Sequence, residues 1–89
     1  MSESYLEVTY RHGRAFAAYL YLPRRAGQKS YRTRRVEPGL VVDFSKGGQA
    51  IGIEITAPGK VSVTQLNRLL KELGAPILKR GDLAPLKAA

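Results

Sequence analysis

Apolar and polar residues alternate with period two over Leu6-Glu7-Val8-Thr9-Tyr10, the pattern of a strand with one buried face. Arg11-His12-Gly13-Arg14 then predicts a turn. Ala15 to Leu22 reads as a second strand, with Phe16, Ala18, Leu20 and Leu22 on one face and Ala17, Tyr19 and Tyr21 on the other. Pro23 ends it, because proline has no N–H to give a ladder. Arg24 to Ser30 is a loop by its glycine and polar content. Tyr31 to Val36 reads as a third strand, and its arginines suit an edge, where charge discourages pairing with another sheet. Glu37-Pro38-Gly39 has proline and glycine where a type II turn needs them.

The clearest pair of strands is Leu40-Val41-Val42-Asp43-Phe44 and Ala50-Ile51-Gly52-Ile53-Glu54-Ile55, joined by the hairpin loop Ser45-Lys46-Gly47-Gly48-Gln49. Leu40, Val42 and Phe44 share a face, as do Ile51, Ile53 and Ile55, and pairing brings the two sets together. Each such side chain, fully buried, contributes about 1.5–3 kcal/mol by transfer, so this hairpin is the expected centre of the core. After Pro58-Gly59-Lys60 the period changes. Ser62 and Gln65 form a capping box, and Val61 and Leu66 a hydrophobic staple. Val63, Leu66, Leu69, Leu70 and Leu73 fall on one helical face, with Asn67, Arg68, Lys71 and Glu72 opposite. Gly74 and Pro76 end the helix. Ile77 and Leu78 are placed to dock on the core, and residues 81–89 are expected to be a flexible tail.

The expected architecture is therefore α+β. An antiparallel sheet of four to five strands, built from hairpins, carries one C-terminal amphipathic helix on its aliphatic face. That helix covers Phe16, Leu20, Val42, Ile51, Ile53 and Ile55 with Val63, Leu66, Leu70 and Leu73. Residues 1–80 form one domain, as the length of 89 suggests.

Composition adds a sign to this picture. Hydrophobic residues make up 44% of the chain and charged residues 25%, a globular balance. Fifteen Lys and Arg against seven Asp and Glu give a net charge of +8, a field that favours polyanions or an acidic protein partner. Cysteine is absent, which excludes disulfides, thiolate metal sites and thiol nucleophiles. Met1-Ser2-Glu3-Ser4 has no positive region followed by an apolar run, so no signal peptide is expected. No stretch approaches the roughly 20 apolar residues of a membrane span. A cytoplasmic protein without membrane contact is the expectation.

Glu37-Pro38-Gly39-Leu40-Val41-Val42-Asp43-Phe44, a glycine turn and Gly52-Ile53-Glu54-Ile55 resemble a family of small prokaryotic proteins described as a domain of unknown function. Ala17-Ala18-Tyr19-Leu20 is similar to its earlier strand, and the resemblance runs from about Ala15 to Pro58. It implies a compact antiparallel sheet with a helix, and no established activity. The arginine-rich Arg24–Arg35 stretch, the helix and the tail depart from the family pattern.

Enzyme chemistry finds few candidates. His12 is the single histidine and sits in a turn, away from the strand or helix positions that would bring it a serine and an orienting carboxylate. One histidine without cysteine is also a poor start for a metal site. Asp43 and Glu54 project from neighbouring strands on the non-core face. In register they would lie within reach of each other, as acid–base or cation chemistry requires, but solvent-facing carboxylates meeting arginines are the ordinary outcome. Gly47-Gly48 lacks phosphate-loop spacing. No catalytic residue, metal ligand or cofactor is assigned.

The strongest signal is Arg24, Arg25, Lys29, Arg32, Arg34 and Arg35, six cations within twelve residues with Tyr31 interleaved and no acid among them. Arginine on phosphate with tyrosine on bases is how single strands are held without a sequence code. A competing expectation is a homodimer through Tyr19, Tyr21 and Val41, which form a partly apolar second sheet face, acting as an interaction module for an acidic protein.

Overall fold

A computed structural model describes residues 3–87. The first two residues, on which the absence of a signal peptide partly rests, and the last two of the expected tail lie outside the described residues. Five strands form one antiparallel sheet: β1 (Tyr5–Arg11), β2 (Arg14–Tyr21), β3 (Arg32–Glu37), β4 (Leu40–Phe44) and β5 (Ala50–Ile55). Their spatial order is β1-β2-β5-β4-β3. The three hairpins are local, but the link from β2 to β3 must cross the ends of β5 and β4. Residues 22–31 make that crossing and so pass the β4–β5 turn.

The β1–β2 turn has both His12 (φ 54°) and Gly13 (φ 78°) in the left-handed region, the geometry that two-residue hairpins favour because it matches strand twist. Three register shifts interrupt the ladders. Thr9 pairs with Ala17 but Tyr10 with Ala15, leaving Phe16 over. Arg35 pairs with Val41 but Glu37 with Leu40, leaving Val36 over. Asp43 pairs with Gly52 but Phe44 with Ala50, leaving Ile51 over. Each is a bulge, which bends its strand and re-aims a side chain.

One face of the sheet carries Ala18, Leu20, Leu22, Leu40, Val42, Ile53 and Ile55, all buried in a single cluster. The helix α1 (Val63–Glu72) adds Leu66, Leu69 and Leu70 to that cluster, with Val63 and Leu73 partly buried against it. Its start is the one expected: Ser62 Oγ accepts from the Gln65 N–H at 3.0 Å, and Gln65 returns a bond to the Ser62 N–H. Gln65 Nε2 also donates to Glu37 at 2.8 Å, tying the helix start to β3.

One core assignment needs correcting and one needs refining. Phe16 is 55% exposed, because the bulge takes it out of the pleat that alternation assumes. Ile51 is fully buried but stands outside the main cluster, while Ala50 packs against it, again at a bulge. The helix is also not the last element. Asn67 clasps the backbone of Leu78, donating to its carbonyl and accepting from its N–H, both at 2.8 Å. The chain then makes a 3-10 turn (Arg80–Leu83) and a short helix, α2 (Ala84–Lys87). Leu83 and Leu86 are buried in the core and Tyr10 Oη donates to the Pro85 carbonyl at 2.8 Å. The expected flexible tail from residue 81 is thus docked as far as residue 87, held by two leucines that the sequence places at helical spacing. No helix among the described residues is long and apolar enough to cross a membrane.

Candidate nucleic-acid interface

Two loops build the candidate site. Gln28 Nε2 donates to Gln49 Oε1 at 3.1 Å, and Gln49 Nε2 donates to the Pro23 carbonyl at 3.3 Å. The Gln49 N–H donates to Ser45 Oγ at 3.3 Å, and the Arg25 N–H to Gln28 Oε1 at 2.8 Å. The crossing loop is therefore stapled to the β4–β5 turn. Between them lies a cleft of about 480 Å³ lined by Arg25, Lys29, Tyr31 and Lys46, with Gln28 and Gln49 among its polar groups. No carboxylate lines it. Tyr31 is 66% exposed, its backbone pinned by an N–H bond to the Phe44 carbonyl at 2.8 Å. Three cations round an exposed ring, on a backbone held by amide staples, make a surface suited to an anion with a planar group.

The sequence-predicted cations do not all gather here. Arg25, Lys29 and Tyr31 line the cleft. Arg32 lies over the Phe44 ring, 5.1 Å from its centroid, beside the cleft at the start of β3. Arg34 and Arg35 continue along that exposed strand on alternate faces, opposite Val42 and Val41. Arg24 turns away to the other face of the sheet, with its guanidinium 5.4 Å from the Tyr21 ring centroid. Lys46 is the residue that sequence reasoning missed. Its loop looked like a plain turn, and only the non-local crossing of β2 to β3 brings it to Arg25 and Lys29.

The open face of the sheet holds the other tyrosines. Tyr19 Oη donates to Asp43 Oδ2 at 2.6 Å, reaching across Gly52. A Cβ at position 52 would run into the Tyr19 phenol and ring, so only glycine permits this approach. Burial first, then the hydrogen bond to Asp43 and its charge, hold the Tyr19 phenol well above the ordinary phenol range, with Arg24 opposing. Tyr21 Oη donates to Glu7 at 3.5 Å, and its ring meets Tyr19 edge-on at 4.6 Å. Asp43 faces Gly52 and Glu54 faces Val41, so the two residues are diagonal, with Cα positions roughly 7–8 Å apart in such a ladder, and Asp43 is taken by Tyr19. No group of three or more His, Cys, Asp or Glu among the described residues is placed to hold a metal ion.

Tyr19, Asp43 and Gly52 come from the three stretches that carry the family resemblance, and they meet in one constellation. No curated protein and no solved structure matches the chain. Residues 17–57, which hold that constellation and the basic cleft but neither β1 nor α1, match the family described as Protein of unknown function (DUF2283).

Proposed function

We propose that the chain is a non-catalytic, cytoplasmic nucleic-acid-binding module that holds single strands in the cleft of Arg25, Lys29, Tyr31 and Lys46, and along β3. The observation that carries this reading is the sign and chemistry of the cleft: cations, amides and an exposed tyrosine without a carboxylate. Arg32, Arg34 and Arg35 on the exposed β3 extend the same charge beyond it. Phosphates meet the cations, and an unstacked base lies on the Tyr31 ring.

The test is a fluorescence-anisotropy titration of single- and double-stranded oligonucleotides at two salt concentrations. Three cleft contacts to a single strand give a slope of roughly −2 in log affinity against log salt. Lys46→Glu reduces that slope by about one unit and weakens all sequences alike. No binding at about 150 mM salt, where the Debye length is about 8 Å, defeats the proposal.

The second reading is a homodimer through Tyr19, Tyr21 and Val41, acting on an acidic protein. Its support is that all three side chains remain only partly buried on the open sheet face. Sedimentation at twice the chain mass, abolished by Tyr21→Lys, is its signature.

A further inference from the structure

At the end of the sheet away from the basic cleft, the β1–β2 turn and the segment leaving β5 enclose a second groove, of about 540 Å³. Five steps of β5 at roughly 3.3 Å separate the two ends by about 17 Å. The floor is carbon: Ala15, Phe16, Ala57 and Pro58. The rim is cationic, with Arg11, Arg14 and Lys60, and no carboxylate lines the groove.

Phe16 is the decisive residue. It is the extra residue of the bulge between β1 and β2, so the sheet gives up regular pairing to turn a phenylalanine outward. Phe16 is 55% exposed, and the Arg11 guanidinium covers part of its ring, 5.4 Å from the centroid. An exposed aromatic beside an apolar floor, with the buried Pro58 beneath it, is an anchor pocket. The charge around it selects the occupant. A second copy of this chain, with net charge +8, would bring cations against Arg11, Arg14 and Lys60. Nucleic acid would also meet cations and a ring here, but a single partly covered ring above the aliphatic floor of Ala15 and Ala57 is shaped for one inserted side chain rather than for successive stacked bases. An acidic segment with one large apolar side chain satisfies both parts at once.

We infer that this groove docks an acidic peptide segment of a partner protein, which inserts a single aromatic or aliphatic side chain against Phe16 and Ala57. Carboxylates on either side of that anchor pair with Arg11, Arg14 and Lys60. The site is separate from the nucleic-acid cleft and does not depend on it.

The test uses a fluorescein-labelled ten-residue peptide of Asp and Glu around one central Phe, titrated with the whole chain. Two control peptides replace the Phe by Ser or the acids by Gln and Asn. Saturable binding is expected for the first peptide, and at least about tenfold weaker binding for each control, the 1.4 kcal/mol scale of one lost anchor. Phe16→Ser and the pair Arg14→Glu/Lys60→Glu, all exposed positions, weaken the peptide by a similar factor, while Lys46→Glu in the distant cleft leaves it unchanged. Absence of saturation up to about 1 mM peptide overturns the inference. So does binding that ignores the Phe, binding lost equally in Lys46→Glu, or equal competition by a single-stranded oligonucleotide at this groove. Loss of oligonucleotide binding in Lys46→Glu with peptide binding intact separates this result from that of the cleft.

Discussion

Tyrosine meets arginine at two places on this sheet, and the surroundings give the pairs opposite uses. On the open face, Tyr19 and Tyr21 donate to Asp43 and Glu7, and Arg24 lies over the Tyr21 ring. Their polar atoms are satisfied within the chain, and the acids beside them repel a polyanion. At the loop end, Tyr31 stands among Arg25, Lys29 and Lys46 in a cleft that no carboxylate lines, and the residue is two-thirds exposed. The first cluster stabilises the sheet; the second is the one we propose holds a ligand. The same residue types do different work because the acids were placed on only one of the two surfaces.

This contrast breaks first at Gly52. Gly52→Ala forces a Cβ into the Tyr19 ring, adding strain of about 1–3 kcal/mol and dislodging a hydrogen bond to a charged acceptor. Denaturant unfolding should show a loss of about 2–4 kcal/mol. The double variant with Tyr19→Ala should lose less than the sum of the two, since both act on one contact.

Tyr19→Phe removes the hydrogen bond without the strain. A loss of about 1 kcal/mol is expected, at the low end for a charged acceptor because the pair is only partly buried. It also carries a pH signature. In the folded chain Tyr19 keeps its proton beyond the pH near 10 at which an unfolded tyrosine gives it up. Above that pH the unfolded state binds fewer protons, so stability is unaffected below it and falls as pH rises. Unfolding midpoints from pH 8 to 11 should decline less steeply in Tyr19→Phe than in the parent chain.

Ser62→Ala tests the helix packed on the aliphatic face, and should cost roughly 1 kcal/mol through the lost N-cap, read as a drop in melting temperature. Tyr31→Ala should move stability least, within about 0.5 kcal/mol, yet weaken single strands by about 1–3 kcal/mol of lost stacking. A large stability change there would mean that Tyr31 belongs with Tyr19 rather than with a ligand.

Much of the frame was legible because it is written locally. Leu40–Phe44 and Ala50–Ile55 alternate cleanly, and Ser62 with Gln65 marks the start of α1 in four residues. Phe16 was misplaced because alternation assumes an unbroken ladder, and nothing in the sequence marks a bulge; Ile51 is buried as expected but, at another bulge, outside the cluster under the helix. The docking of Leu83 and Leu86 was hidden behind Gly81 and Pro85, which read as breakers, although the Asn67 clasp on Leu78 returns the chain to the core. In the site, Arg25, Lys29 and Tyr31 were legible as charge with an aromatic. Arg24 and Lys46 were not, since which cation turns to which surface depends on how the β2–β3 link crosses the sheet.

The most direct test of the division between the two surfaces is chemical-shift mapping with a ten-nucleotide single strand added to the isotope-labelled chain at about 150 mM salt, the ionic strength at which long-range attraction is screened. The account predicts shifts concentrated at Arg25, Lys29, Tyr31 and Lys46 and continuing into Arg32, with Tyr19, Tyr21 and Asp43 still. Shifts concentrated at Tyr19, Tyr21 and Asp43, or no shifts at all, would contradict it.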